Sequence, residues 1–304
     1  MSPIKKPNAV LKTLIGGRYR FIVRRPNGTV RLETDWVENL ITDIGMDRIG
    51  QGLCCDYCRV GTSNATPANT DQALGAQIAS SVFSLNVAGL AAQATAPYYG
   101  YLQMVYTFSQ GSAAGNLNEV GVGWSTGGNT LFSRALTGST ITVLSDEILT
   151  VVYQLRLYPP LSDVTGTVSI ASVNRDFVVR ASSVQTTAWA PVLSSTGVKM
   201  YFNGAVYVPR SFGSGATLGA ITGIPSGGTV ANFGSVTDAA YTGGTYYRDG
   251  TILASITDAN STGGVVCVDW QHGLGRYQCS FDPLLAKDNT KTLSLTFRHT
   301  WARH

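Results

Sequence analysis

The stretch from Gly115 to Pro160 constrains the fold more than any other part of the chain, because it contains the longest unbroken series of strand and turn signals. Within it, residues 149–158 alternate apolar side chains with more polar ones. This is the period-two pattern of a strand with one buried face and one wetter face. Pro159 and Pro160 then end the strand. We therefore expect a β fold to be organised around this stretch.

A β-hairpin is predicted just upstream of that strand. Val120, Val122 and Trp124 alternate with glycines, the turn-forming residues 125–129 follow, and an apolar segment resumes at Leu131. Two strand patterns joined by a short Gly-rich connection are typical of a hairpin.

The same kind of pattern continues through the second half of the chain, where short apolar runs alternate with clusters of Gly, Ser and Thr, and long helical patterns are absent. Many short strands with such turns indicate a sandwich or a barrel. A chain of 304 residues can form two domains of about 150 residues each. We predict an all-β protein with two β-sandwich-like domains, at residues 18–160 and 161–304, preceded by a basic arm at residues 1–17.

Two short helices are predicted within the first domain. Residues 39–52 form one, with Asp43 at its N-terminal cap. Residues 71–79 form the other, capped by Thr70 or Asp71, because their apolar side chains fall three and four positions apart.

The two halves of the chain begin and end with similar segments. Phe177–Arg180 is similar to Phe21–Arg24, and residues 293–297 are similar to residues 149–153. A duplicated β unit would explain both similarities. Chance would explain them too, since short β strands have similar compositions, so the two interpretations remain open.

The chain is poor in charge. Charged residues make up 13% of the sequence, whereas about 25% is usual. A surface rich in Ser, Thr, Asn, Gly and Tyr suits a protein that contacts other proteins over much of its exterior. The alternative is an uncharged monomer.

Positive charge is concentrated near the N terminus, where every basic residue up to Arg31 precedes Glu33, the first acid. Such a block binds acidic protein surfaces or nucleic acid. Apart from Tyr19 and Phe21, it lacks the interleaved aromatic residues that stack on bases. We therefore expect a protein partner and no nucleic acid. The candidate partner-binding residues are Lys5, Lys6, Lys12, Arg18, Arg20, Arg24 and Arg25.

The sequence contains no apolar run near the roughly 20 residues of a membrane span, and no apolar segment follows the N-terminal lysines. We therefore expect no membrane partner. The 5 cysteines are an odd number without a disulfide spacing. This favours reduced thiols and folding in a cytoplasm.

The cysteines also offer a metal hypothesis. Cys55 and Cys58 have the spacing of half a zinc site, which Cys267 with Cys279 or His272 would complete. The second pair does not have the spacing of a standard zinc knuckle. We therefore favour buried free thiols and predict neither a metal site nor a cofactor.

Two other motifs match catalytic or metal-binding patterns by their letters alone. Residues 123–127 match G-x-S-x-G, but that motif needs a strand entering a helix, and here a turn follows. Residues 258–269 match the ligand count of an EF-hand loop, but the flanking helices are missing, so a β-hairpin turn is predicted. We predict no catalytic residues and no enzymatic activity.

Three segments in the first half carry longer motifs. The first is W-x-x-N-L-I-T-x-x-G-M-D at residues 36–47, and the second is V-G-T-S with a downstream Pro, Asp and Leu at residues 60–74. The third is N-E-V-G-V-G-W leading to L-F-S-R-A at residues 118–135, followed by the strand at residues 146–160. In this order and spacing, they resemble the structural tail proteins of tailed bacteriophages. Residues 274–283 and the closing strand at 293–303 resemble the same proteins more weakly.

The resemblance implies a virion component of the tail tip, the baseplate or the region of fibre attachment, made and assembled in the host cytoplasm. It implies a homo-oligomer of three or more copies that also contacts other tail proteins, without enzymatic activity. The chain departs from the motif at Ser63, where Gly often stands, and in the CCDYC cluster before it.

One alternative function is a receptor-binding tail protein, whose loops at residues 211–264 would contact a host saccharide or pilus. An enzyme that cleaves host glycans is a further alternative with less support. The aromatic residues that would stack on a receptor are Tyr241, Tyr246, Tyr247 and Trp270. These side chains would otherwise lie in the core or between subunits.

Overall fold

The structure, a computed structural model, describes residues 9–52, 54–84, 89–194, 197–199, 208–272 and 274–304. Most of these residues lie in strands, and the described part of the chain contains one α-helix. The prediction of an all-β protein is therefore confirmed.

The described part of the first half contains eleven strands and the helix. The helix is α1 (Asp43–Ile49). The strands are β1 (Val10–Arg24), β2 (Val30–Glu33), β3 (Val37–Glu38), β4 (Leu40–Ile41), β5 (Tyr57–Gly61), β6 (Gln77–Val82), β7 (Gly89–Ala92), β8 (Gly100–Thr107), β9 (Gly115–Gly123), β10 (Leu131–Val143) and β11 (Ile148–Tyr158).

The second half contributes eleven described strands and a short 3-10 turn at Thr187–Trp189. The strands are β12 (Val164–Ile170), β13 (Val173–Ala181), β14 (Val192–Ser194), β15 (Gly197–Lys199), β16 (Arg210–Phe212), β17 (Val230–Asn232), β18 (Ser235–Asp238), β19 (Tyr247–Ala254), β20 (Val265–His272), β21 (Gly275–Leu285) and β22 (Leu293–Arg303).

A nine-stranded sheet, here called the large sheet, connects the two halves. Its order is β18-β19-β22-β1-β11-β8-β7, with β2 and β3 also paired to β1. A five-stranded sheet has the order β4-β10-β9-β5-β6, and a six-stranded sheet has the order β12-β13-β21-β20-β16-β17. β14 and β15 pair with each other. The large sheet thus contains strands from both sides of residue 160, where the predicted domain boundary lies.

Both smaller sheets cover the same face of the large sheet. On β1, Ile15, Tyr19 and Phe21 belong to one buried cluster, which the five-stranded sheet completes, and Leu11 belongs to a second cluster, which the six-stranded sheet completes. Alternate residues of a strand point to one face. The opposite face of the large sheet, here called the outer face, carries side chains that are mostly half-buried or exposed.

The basic arm is corrected in part by the structure. Val10–Gly17 belong to β1, where residues 10–15 pair in parallel with β22 and Leu14–Gly17 pair with β11. Apolar side chains at alternate positions of this segment are buried, which anchors it in the fold. Lys5 and Lys6 lie outside the described residues.

The hairpin predicted around residues 125–129 is formed by β9 and β10, which pair antiparallel. The strand predicted before Pro159 is β11, which ends at Tyr158. The helix predicted within residues 39–52 is α1, but its N-terminal cap is Thr42, whose hydroxyl accepts a hydrogen bond from the Gly45 N–H at 3.0 Å.

The helix predicted at residues 71–79 is wrong. Residues 71–76 are irregular, with bends, and residues 77–79 belong to β6, which pairs with β5. The buried Glu119 carboxylate accepts hydrogen bonds from the Gly75 and Ala76 N–H groups at 3.0 Å and 2.7 Å. A distant side chain therefore takes the donors that a helix would use, and it holds this segment against the sheet.

The two halves do not repeat one strand arrangement. The two similar segments of the first half, Phe21–Arg24 and residues 149–153, lie in β1 and β11, which are antiparallel neighbours in the large sheet. Their counterparts β13 and β22 lie in the six-stranded sheet and the large sheet, respectively. A duplicated unit would place both pairs alike, so the sequence similarity does not extend to the topology.

Candidate functional site

The candidate site lies on the outer face of the large sheet, where β1 carries most of the predicted partner-binding residues. Lys12, Arg18, Arg20 and Arg24 occupy even-numbered positions of this strand and therefore point to the outer face. Arg25 is exposed in the turn after β1. That these residues bind a partner stays a prediction, and the strand brings four of them to one surface.

Trp36, the first residue of the phage-like motifs, lies against this row of arginines. The Arg18 and Arg20 guanidinium carbons are 4.1 Å and 5.1 Å from its ring centroid. Such cation–π contacts are favourable by about 0.5–1 kcal/mol at exposed sites. Arg20 also forms an ion pair with Glu33 at 2.9 Å. The Trp36 indole thus holds the Arg18 and Arg20 guanidinium groups against the outer face of the sheet.

The neighbouring strand β11 adds a second arginine beside Arg18. The Gln154 Oε1 atom accepts hydrogen bonds from Arg18 Nε at 2.9 Å and from Arg156 Nη2 at 3.1 Å. The Gln154 amide in turn donates to Gln103 Oε1 on β8 at 2.9 Å. Burial, followed by the nearby charge of Arg156, lowers the pKa of Arg18. Two cationic groups therefore share one neutral acceptor.

Aromatic rings border this pair. The Arg156 guanidinium carbon lies 4.4 Å from the Tyr99 ring centroid, and Tyr99 is 5.4 Å from Tyr158. Tyr158 also stacks on His304, with ring centroids 3.8 Å apart. We call Arg18, Arg20, Trp36, Tyr99, Gln154, Arg156 and Tyr158 the arginine–aromatic patch. Arg, Tyr and Trp are the residue types that dominate the energetic centres of protein interfaces.

The phage-like motifs meet at a different place, around Arg134 of β10. This buried arginine donates to Glu119 at 2.9 Å, to Asp71 at 2.7 Å and to the Ala65 carbonyl at 3.0 Å. Asp71 belongs to the second motif, while Glu119 and Arg134 belong to the third. The ion pairs therefore hold the loop between β5 and β6 onto the five-stranded sheet.

The first motif packs against the same strand, β10, through α1. The Thr42 hydroxyl donates to the Leu131 carbonyl at 2.6 Å. Gly45 lies so close to β10 that a Cβ atom there would be 2.0 Å from the Phe132 carbonyl oxygen. The threonine and the glycine of the motif are thus required for packing between the helix and the strand.

Arg59 is a structural residue that the sequence analysis missed. It is fully buried on β5 and donates to the carbonyl oxygens of Ser125, Gly128 and Thr130, at 2.6 Å, 3.1 Å and 3.2 Å. It thereby holds the turn between β9 and β10, which contains the G-x-S-x-G string. A lone arginine in the apolar strand YCRVG was the available signal, since arginine is seldom buried without partners.

The five cysteines are buried and free. Cys58 lies in the five-stranded sheet, whereas Cys267 and Cys279 lie in the six-stranded sheet, so the four-ligand zinc arrangement is not assembled. Burial raises the pKa of Cys267 to about 11. Within the described ranges, no group of three or more His, Cys, Asp or Glu side chains is placed to hold a metal ion.

The loop with the EF-hand-like count connects β19 of the large sheet to β20 of the six-stranded sheet, so it is a crossover and the hairpin prediction is wrong. Lys287, which follows β21, extends its ammonium group into this loop and donates to the Asp258 carbonyl at 2.6 Å and to Asn260 Oδ1 at 2.8 Å. It also donates to the Asp288 carbonyl at 2.9 Å, outside the loop. A side-chain cation thus binds the Asn260 side-chain oxygen, which stands at the third position of that ligand count.

Among the predicted receptor-contact residues, Trp270 is a core residue. It is 1% exposed, and its ring stacks on Phe297 with centroids 4.2 Å apart. A ring in this position has no face left for a ligand, which corrects the prediction for Trp270.

The three tyrosines of that group remain partly accessible. The Tyr241 hydroxyl donates to Asp47 of α1 at 2.6 Å. Tyr246 packs against the first buried cluster. Tyr247 lies on the outer face, with the Arg298 guanidinium carbon 3.8 Å from its ring centroid. The structure thus places the three tyrosines in separate contacts rather than on one shared stacking surface.

Comparison of the chain with protein-family models, curated proteins and solved structures gave no match. None of the helices in the described part of the chain has the length and apolar character that crossing a bilayer requires.

Proposed function

We propose that the protein is a structural subunit of a bacteriophage tail or baseplate, which acts by assembling with copies of itself and with neighbouring tail proteins. The resemblance of residues 36–160 to such proteins motivates the proposal. The polar residues of those motifs support a scaffold role, because Thr42 caps a helix and Asp71 and Glu119 pair with Arg134 inside the fold.

The observation that carries the proposal is the arginine–aromatic patch. It lies on the face of a sheet, where alternate residues of β1 and β11 present arginine, glutamine and tyrosine side chains side by side. Small-molecule sites are usually concave and mostly apolar. A sheet face with this composition fits a broad contact with another protein chain, for which rings and guanidinium groups supply the binding energy.

Two measurements test this function. Sedimentation velocity of the purified protein over a wide concentration range is expected to show oligomers of three or more copies. Antibodies against the protein are expected to label the tail of virions that carry its gene in negative-stain electron microscopy. A protein that stays monomeric at high concentration and is missing from the particles would contradict the proposal.

A further inference from the structure

Four arginines of the described chain are almost completely buried, namely Arg59, Arg134, Arg156 and Arg175. A buried guanidinium is costly unless hydrogen bonds and opposite charge compensate for its lost hydration. The first two meet this requirement through the contacts described above. Arg175 meets it through the carbonyl oxygens of Ile170, Val173 and Leu284, at 2.6 Å, 3.0 Å and 3.2 Å.

Arg156 does not meet this requirement, although it is only 6% exposed. Its contacts are the Gln154 amide oxygen at 3.1 Å, the Tyr158 hydroxyl at 3.4 Å and the face of Tyr99. Its Nε atom is buried and has no hydrogen-bond partner among the described residues. Three neutral groups therefore surround a charge that, elsewhere in this protein, is satisfied by several oxygens or by carboxylates.

The surroundings of Arg156 add positive charge. Arg18 shares the Gln154 oxygen with it, and neither arginine forms an ion pair with a carboxylate within the described ranges. Of the acids on this side, Glu33 is engaged by Arg20, and Glu38 is exposed opposite Arg18 on β3. The pair thus has more positive than negative charge at close range, and an anion would relieve this imbalance.

We infer that Arg18 and Arg156 bind a carboxylate group, supplied by an aspartate or glutamate side chain of a second copy of this chain. The anion site follows from the geometry of the two guanidinium groups, while the source of the carboxylate rests on the proposed function. Arginine forks match carboxylates with two parallel hydrogen bonds. The flanking Tyr99 and Tyr158 would exclude water around such a contact, as residues that surround interface hot spots do.

The local charge favours a single carboxylate over a polyanion. Glu33, Glu38 and Asp249 lie on the same face as the patch, which would repel the continuous phosphates of nucleic acid. A protein partner with one acidic side chain can avoid these residues, whereas a polyanionic strand cannot.

The first experiment measures the anion site on the purified, full-length protein. Sodium acetate and, separately, inorganic phosphate are titrated at constant ionic strength while the midpoint of thermal unfolding is recorded for wild type, Arg156→Met, Arg18→Met and the control Lys291→Met. Lys291 is an exposed lysine before β22, so its replacement removes one positive charge away from the patch.

Acetate is expected to raise the midpoint of wild type and of Lys291→Met by about 2 °C or more, and to leave both arginine variants unchanged. In chloride alone, Arg156→Met is expected to unfold no earlier than wild type, because it removes an uncompensated buried charge. Equal acetate shifts in all variants, a response to phosphate alone, or a large loss of stability in Arg156→Met would each overturn the inference.

The second experiment identifies the source of the carboxylate. Arg156→Met is expected to weaken self-association at least 10-fold in sedimentation velocity, and acetate to weaken that of wild type. Unchanged oligomers in the variant would overturn the inference and leave the proposed function standing. A protein that binds acetate through Arg156 but stays monomeric and is missing from virions would instead contradict the proposed function.

Discussion

At the residue scale, the protein depends on charged side chains that are buried and paired. Glu147 is one of them. Its carboxylate accepts hydrogen bonds from Arg31 Nη2 at 2.7 Å and from the Leu144 N–H at 2.9 Å, and Arg31 also donates to the Thr142 carbonyl at 2.6 Å. This group of contacts ties the first hairpin to the turn between β10 and β11.

The hydrogen bond from Arg31 holds the pKa of Glu147 below its ordinary value. A carboxyl group whose folded pKa is lowered stabilises the fold above its unfolded pKa, and this contribution is lost as the pH falls through the folded value. Glu147→Gln is therefore expected to be less stable than wild type at about pH 7, and the difference to narrow at about pH 3. Urea unfolding of both proteins at the two pH values measures it, and a difference that stays constant or grows on acidification would contradict the assignment.

The reactivity of each cysteine thiol depends on how deeply that residue is buried. Burial raises the pKa of Cys55, Cys58, Cys267 and Cys279, and the thiolate is the reactive form. We expect no thiol of the native protein to react with Ellman's reagent at about pH 8, and all 5 to react after unfolding in guanidinium chloride. A thiol that reacts in the native protein as fast as a free one would show that its site opens to solvent.

At the scale of elements, the β9–β10 hairpin is held by a side chain from outside it. Arg59→Met is expected to lower the free energy of unfolding by about 3 kcal/mol or more, because three carbonyl oxygens of the turn lose their buried donor. The control Arg25→Met, in an exposed turn, is expected to change it by less than about 0.5 kcal/mol. Urea unfolding curves measure both changes in the free energy of unfolding. A loss below about 1 kcal/mol for Arg59→Met would show that Arg59 does not stabilise the turn between β9 and β10.

Elements with local signals were predictable from the sequence, and those decided by distant residues were not. α1 has its cap, its apolar face and its following glycine within a few residues of one another. The segment at 71–79 has helical spacing too, but Glu119 of β9 accepts hydrogen bonds from its Gly75 and Ala76 N–H groups and holds it against the sheet. Nothing in the sequence near residues 71–79 indicates that the Glu119 carboxylate will bind there, so the helix prediction could not be corrected from the sequence.

In the candidate site, too, some residues could be predicted from local sequence signals and others could not. Arg18 and Arg20 could be selected from the sequence because they stand in a basic block. Arg156 and Tyr99 could not, because the register between β1 and β11 and the fold of the chain before β8 bring them to the patch. Alternation predicts which face a side chain occupies, but it does not predict which strand lies beside it.

At the scale of the whole molecule, the large sheet joins both halves of the chain. Residues 10–15 of β1 pair with residues 298–303 of β22, and Ala9 and Leu11 complete the second buried cluster. Chains cut at the predicted domain boundary, residues 1–160 and 161–304, are therefore expected not to fold separately. Circular dichroism and NMR dispersion of each fragment and of their mixture measure this. Two fragments that each fold alone would support two independent domains.

The parallel pairing of β1 with β22 also has a consequence for biosynthesis. A nascent chain emerges from the ribosome with β1 first, yet one edge of that strand stays open until about 280 further residues have been translated. Contacts so distant in sequence form slowly. During this interval the exposed edge can pair with other chains, so the protein is expected to need chaperone protection until its last strand is made.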